Sequence, residues 1–334
     1  MNLRHSPAFK AVSQSLDEPA IIACSGGVDS SALLALAAEA RDAGACTPTV
    51  VAVDHRVRPT SAADVDAVAR LAARFGLPFH PTTTSGAGAR SEARLRDERY
   101  AALARIGQTL GIYRVITAHT RDDQVETILI RLLSGSGALA SAGMRAEQSL
   151  ETPEGTIVIV RPLLGTPRSE LEAINIVSGI SPLVDQTNAD VSIRRNALRQ
   201  TIVPRLREIA PGFETALIRS VRLSALDAEY VDAAAQDIAL RIVEREPARI
   251  VIERDALCQL HPAVASRVIR IAAFDLLPGH DRRELSEERI LSVLKAARGR
   301  TGSRIELPYG IVVSIERATL VLSIDTDIRN QRNR

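Results

Sequence analysis

At 334 residues, with 46% hydrophobic and 25% charged side chains, the chain exceeds one average domain and is neither mainly disordered nor fibrous. Its 42 basic and 40 acidic residues leave a net charge of +2, too small for a global field that draws in nucleic acid or membrane. Three cysteines, Cys24, Cys46 and Cys258, are too scattered for a disulfide framework, a CxxC pair or a cysteine-rich zinc site.

Alternating apolar runs and helical periods fill the first half. Ala20 to Ala23 predicts a buried strand, followed by a turn and a helix from Ser30 to Asp42. Thr49 to Val53 predicts a second strand, with a helix from Ala62 to Phe75 after it. Arg94 to Leu110 reads as a helix, Arg114 to Thr117 as a strand, and Gln124 to Leu133 as a helix. That alternation predicts crossover connections, a parallel sheet and an α/β class. Thr156 to Val160 adds a strand, and Thr166 with Pro167 reads as an N-cap followed by the first helical residue. After Pro211-Gly212 the pattern turns helical over Phe213 to Arg245 and again over Ala263 to Leu276, and Arg304 to Ile324 predicts a β-hairpin near Pro308-Tyr309-Gly310. The expected architecture is a Rossmann-like catalytic domain over 1–212 and a smaller, mainly helical domain over 213–334 ending in that hairpin.

Ser25-Gly26-Gly27-Val28-Asp29-Ser30 lies between a predicted strand and a predicted helix. Its glycines let the backbone approach an anion, and its serines and free N–H groups donate at a positive helix end. Neither lysine, Lys10 nor Lys295, stands in a GxxxxGK[ST] setting, which excludes a Walker A loop. A plain helix-capping turn is the structural alternative. The second cluster runs from Thr117-Ala118-His119 through Asp122-Asp123-Gln124 to Glu126-Thr127, at the carboxyl end of a strand. Asp123 and Glu126 are three apart and can share a cation, either magnesium or an amine. On spacing alone, compensation of the helix dipole explains them equally well. Arginines gather over 194–222 and again over 289–304, as either solvated helix faces or a phosphate track.

The loop resembles the PP-loop of the N-type ATP pyrophosphatases, which implies that Ser25, Gly26, Gly27, Val28, Asp29 and Ser30 cradle the phosphates of ATP, with Asp29 near Mg²⁺. The cluster at Thr117 to Thr127, continuing to Arg131-Leu132, resembles that of the tRNA(Ile)-lysidine synthetase family. So do Val53-Asp54-His55 with Arg58 and Ser61, then Glu92-Ala93 with Arg96 and Arg99-Tyr100. Arg161-Pro162-Leu163-Leu164, Asp185, Asn188, Arg195-Asn196, Arg199 and Pro204 complete the series, in the family's order over roughly residues 20–207. Ser134 to Gly137 lacks the family's usual basic residue, and Ala140-Ser141 replaces its usual Gly-Leu pair. The C-terminal part resembles a shorter form of the family.

The resemblance implies ligation of free L-lysine to C2 of the wobble cytidine in a CAU-anticodon isoleucine tRNA, through an adenylated base and with release of pyrophosphate and AMP. It implies Asp29, Asp123, Glu126 and Arg99 as catalytic residues, and Asp54, His55 and His119 beside the loop as ATP-binding. Arg195, Asn196 and Arg199 are expected on the tRNA, and Asp29 and Asp123 on Mg²⁺. The setting expected is the cytoplasm, and a homodimer is compatible with the sequence. A thiolase of the same superfamily and a non-catalytic RNA- or nucleotide-binding module are the rival readings.

Overall fold

The computed structural model describes residues 3–54, 56, 61–84, 92–183, 194–277 and 285–325. Its Cα positions divide into two compact units, Met1–Val221 and Arg222–Arg334.

The first unit runs α1 Pro7–Ser15, β1 Ile21–Ala23, α2 Val28–Asp42, β2 Thr49–Asp54, α3 Ser61–Arg74, β3 Phe79–Thr83, α4 Glu92–Leu110, β4 Arg114–Ile116, α5 Arg121–Leu133, α6 Ala138–Ser141, β5 Glu147–Thr152, β6 Gly155–Val160 and α7 Arg168–Val177. Next come α8 Arg194–Ala197, a π-helical turn over Leu198–Ile202, α9 Val203–Ile209 and the start of α10, Phe213–Ile242. Pro204 explains the π turn: it cannot donate to the carbonyl four residues back, and its ring pushes that carbonyl away.

The strands form one sheet in the order β3-β2-β1-β4-β6-β5. Every pairing is parallel except β5 with β6, in the register Glu147↔Val160 to Thr152↔Gly155. Chain direction across the sheet reverses between β1 and β4, which opens a crevice at their carboxyl ends where such sheets bind ligands. One face is covered by α1, α2 and α7, whose Val12, Leu33, Leu36, Leu171 and Ile174 are fully buried. The other carries Tyr100, Leu103 and Ala104 of α4 against Ile21, Val115 and Ile157. Helix α7 begins one residue later than expected: Pro167 occupies its N-cap position without a side-chain cap.

In the second unit α10 ends at Ile242, earlier than its helical pattern suggests, and the chain enters β7 Val243–Glu246 and β8 Arg249–Glu253. Helices α11 Arg254–Gln259, α12 Pro262–Asp275 and α13 Glu287–Ala297 precede β9 Arg304–Glu306, β10 Ile311–Ile315 and β11 Thr319–Ile324. The expected hairpin is therefore part of a five-stranded antiparallel sheet ordered β7-β8-β11-β10-β9. Val268, Ile269, Ile290 and Val293 of α12 and α13 share a core with Ile252, Val313 and Leu322 of that sheet.

Candidate functional site

The turn after β1 is built by its own polar atoms. Gly26 takes φ of +80°, and its carbonyl accepts Ser31 Oγ at 3.0 Å and the Leu183 N–H at 2.9 Å. Ser30 Oγ accepts the Ser25 N–H at 3.2 Å, lies 3.2 Å from Ser25 Oγ and donates to the Gly27 carbonyl at 3.2 Å. Gly27 is the N-cap of α2 and supplies no side-chain cap. The first-turn N–H groups of α2 thus keep their donors for an incoming anion at the positive end of the helix. Val28 anchors the turn from behind, its carbonyl accepting Asn175 Nδ2 at 2.8 Å.

Asp29 follows in that first turn. Its Oδ2 lies 3.4 Å from Arg168 Nη1, while Oδ1 is buried without a hydrogen-bond partner among the described residues. Burial pushes its pKa up to about 6, opposed by Arg168 and assisted by the nearby charge of Asp123. Sequence reasoning missed Arg168, because only the fold brings the start of α7 to the loop.

The second cluster caps α5. Thr120 Oγ1 accepts the Asp123 N–H at 3.3 Å, and Asp123 Oδ2 accepts the Thr120 N–H at 2.9 Å, a reciprocal capping box. The helix-end role weighed for Asp123 is therefore real, and its other oxygen faces Arg199. Arg199 Nη2 bridges Asp123 Oδ1 at 3.1 Å and Glu126 Oε2 at 3.0 Å, while its Nε donates to Glu126 Oε1 at 2.6 Å. Arg195 Nε stands 3.4 Å from Glu126 Oε2, and Arg195 Nη2 donates to Thr127 Oγ1 at 3.2 Å. Arg199 of the π turn thus stands between the two carboxylates, a partner the spacing did not name. Glu126 is only 2% exposed, and burial raises its pKa against the pull of Arg199. Asn196 is buried between these arginines in sequence.

His119 shares a 2.8 Å hydrogen bond with Thr117 through Nδ1. Desolvation lowers its pKa to about 4, so the ring is neutral at physiological pH. The guanidinium groups of Arg99 and Arg96 lie 5.4 and 5.6 Å from the Tyr100 ring centroid. The charges of Arg99, Arg161 and Arg195 all act on His119, which puts Arg99 within electrostatic reach of the cluster. Asp54 closes β2, where Oδ1 accepts the Arg56 N–H at 2.7 Å. His55, Arg58, Asp185 and Asn188 lie outside the described residues.

The basic zone over 194–222 is largely occupied internally. Arg194 donates to Ser134 Oγ, Arg205 pairs with Glu208, and Arg207 pairs with both Asp122 and Glu214. Among the described residues Arg219, Arg222, Arg289, Lys295, Arg298, Arg300 and Arg304 form no ion pair. No group of three or more His, Cys, Asp or Glu side chains suited to a metal occurs among the described residues.

Comparison with known proteins adds a family and a fold. A family model described as a PP-loop domain matches residues 4–206. A tRNA(Ile)-lysidine synthase of Salinispora tropica is 34% identical over 312 residues, spanning 92% of this chain and 91% of that protein. One of Methylobacterium nodulans is 36% identical over 268 residues, 78% of this chain and 76% of its own. Among solved structures, the U34-tRNA thiolase NcsA from Methanococcus maripaludis with its [4Fe-4S] cluster superposes with a TM-score of 0.54 at 16% identity, covering 65% of this chain and 77% of that one. At that identity the likeness is one of fold.

Proposed function

The chain belongs to the tRNA(Ile)-lysidine synthase family, ATP-binding ligases that modify tRNA, and on that premise we propose how its residues divide the work. The loop Ser25 to Ser30 receives the phosphates of ATP on the free N–H groups of α2, with Ser25 and Ser30 as further donors. The C2 oxygen of the wobble cytidine attacks the α-phosphorus. An O–P bond forms, and the bond to pyrophosphate breaks. The ε-amine of free L-lysine then attacks C2, the C–O bond to AMP breaks, and the amine gives up a proton.

Glu126 is the acceptor for that proton. It is enclosed, held in place by Arg199 and raised in pKa, which suits a carboxylate acting as a base. The ammonium of lysine takes the place of Arg199 between Asp123 and Glu126. Arg199 then turns to phosphate, joined by Arg195 and Arg99 on the RNA, with Asn196 at the substrate. His119 is a neutral hydrogen-bonding group for the nucleotide, and Asp54 and His55 are further ATP-binding residues.

Asp29 suits Mg²⁺, because its buried Oδ1 has no hydrogen-bond partner among the described residues. Asp123 is the second candidate. Together with phosphate oxygens these carboxylates would hold Mg²⁺, which would supply charge neutralisation for pyrophosphate. The setting is the cytoplasm, and no described helix is long and apolar enough to cross a membrane.

The bridging of Asp123 and Glu126 by Arg199, within electrostatic reach of Asp29, carries the reading. Its test is reagent dependence: tRNA alone should support ATP–pyrophosphate exchange, and lysine should be required for AMP release. AMP release without lysine would contradict it.

A further inference from the structure

An unbroken series of contacts leads from the first turn of α10 to the loop after β1. Glu214, 7% exposed, accepts from Arg207 Nε at 2.9 Å, and its other oxygen lies 3.3 Å from Arg121 Nη2. Arg207 Nη2 also donates to Asp122 Oδ1 at 2.7 Å. The second oxygen of Asp122 accepts the Arg168 N–H, the first amide of α7, at 2.9 Å. Arg168 then places Nη1 3.4 Å from Asp29. Alongside, the Arg121 N–H donates to the Thr166 carbonyl at 3.0 Å and ties the start of α5 to the approach of α7.

Helix α7 lacks a cap of its own, since Pro167 offers no side-chain acceptor. Asp122 supplies that acceptor from another helix. Without it the first turn of α7 would fray, and Arg168 with it. Asp29 faces the space where triphosphate oxygens enter, so losing its cationic neighbour would set like charges against each other.

We propose that Asp122, Arg207 and Glu214 are positioning residues for ATP binding, holding the start of α7 so that Arg168 stays against Asp29. The inference rests on the loop being the ATP site. It also takes Arg207 out of the phosphate track suggested by the sequence, because carboxylates already occupy its guanidinium on two sides.

Three measurements test it: KM for ATP in tRNA-dependent pyrophosphate exchange, Kd for tRNA, and hydrogen exchange of the α7 first-turn amides. Arg207→Lys and Glu214→Gln should raise KM for ATP roughly tenfold, the scale for partners one contact removed from a site. Affinity for tRNA should hold, and the amides should exchange faster. Asp122→Asn keeps an oxygen for the Arg168 N–H and should recover most of what Asp122→Ala loses. A lower Tm with unchanged KM for ATP would reduce the network to a strut and overturn the proposal. Weakened tRNA binding with unchanged KM would overturn it in favour of an RNA contact. Asp29→Asn separates the two levels. If it leaves exchange intact, the loop is not the ATP site; if it abolishes exchange while Arg207→Lys changes nothing, only the positioning role fails.

Discussion

Gly26 and Gly27 are adjacent, yet the backbone asks different things of them. A methyl added at Gly26 would meet Leu183 Cδ1 at 2.6 Å in a residue with φ of +80°, whereas at Gly27 the nearest atom is Ser25 Oγ at 3.7 Å. Gly26→Ala should therefore cost about 1–2 kcal/mol of stability through left-handed strain. Gly27→Ala should unfold within about 0.5 kcal/mol of the parent, as a substitution free of strain or clash. It should nevertheless lose ATP turnover, because its methyl stands where the backbone must approach phosphate. Urea denaturation beside steady-state kinetics separates the two, and a fully active Gly27→Ala would remove this turn from the ATP site. Asp29 makes a second residue-level case. Its folded pKa of about 6 exceeds the ordinary 3.8, so the folded chain binds more protons than the unfolded chain across that window. Stability accordingly falls as pH rises from about 4 to 6, and the full penalty, on the order of 3 kcal/mol, persists above it. Asp29→Asn should raise Tm at pH 7, show no gain near pH 4 and abolish ATP-dependent chemistry. A variant that is less stable at pH 7 would contradict the assignment.

At the scale of elements, the site is two helix starts facing one π turn. The start of α5 offers Asp123 and Glu126, and Leu198–Ile202 presents Arg199 to both. A planar fork can span two carboxylates, and a single ammonium cannot do so with the same bonds. Arg199→Lys should lose at least one charge-assisted hydrogen bond to the phosphate that Arg199 turns to, about 1.5–3 kcal/mol, and with it about tenfold to a hundredfold in turnover. Folding should survive, as thermal denaturation would show, and wild-type turnover in this variant would release Arg199 from the mechanism. The central strands and the helices between them were legible because their apolar runs and 3.6-residue periods are strong. The edge strands were not: β3 contains Pro81 and exposed polar positions, and β5 has Leu150 as its one apolar residue. Nor could periodicity reveal that α10 gives way to β7, since Val243 to Glu246 continues a mixed polar pattern. Spacing brought Asp123 and Glu126 to one face but could not show Arg199 between them, because Arg199 lies 73 residues from Glu126.

For the molecule as a whole, near-neutral charge is a sum over unlike parts. Much of the arginine excess over 194–222 is paired with the acids of α5 and α10, while among the described residues cations without ion pairs remain at Arg219 and Arg222 and through Arg289 to Arg304. Global charge therefore says little about an RNA partner, and the local distribution says more. The catalytic fold was readable from motif order, whereas in the second unit the sequence showed two helical stretches and the last strands but not β7 and β8 of the five-stranded sheet. Transfer of radiolabelled lysine to CAU-anticodon isoleucine tRNA tests the central claim most directly. The account predicts one lysine at the wobble cytidine for each AMP released, none with Glu126→Gln, and none on the same tRNA lacking that cytidine. A folded, ATP-consuming protein that leaves lysine free, or that delivers sulfur to tRNA instead, would contradict it.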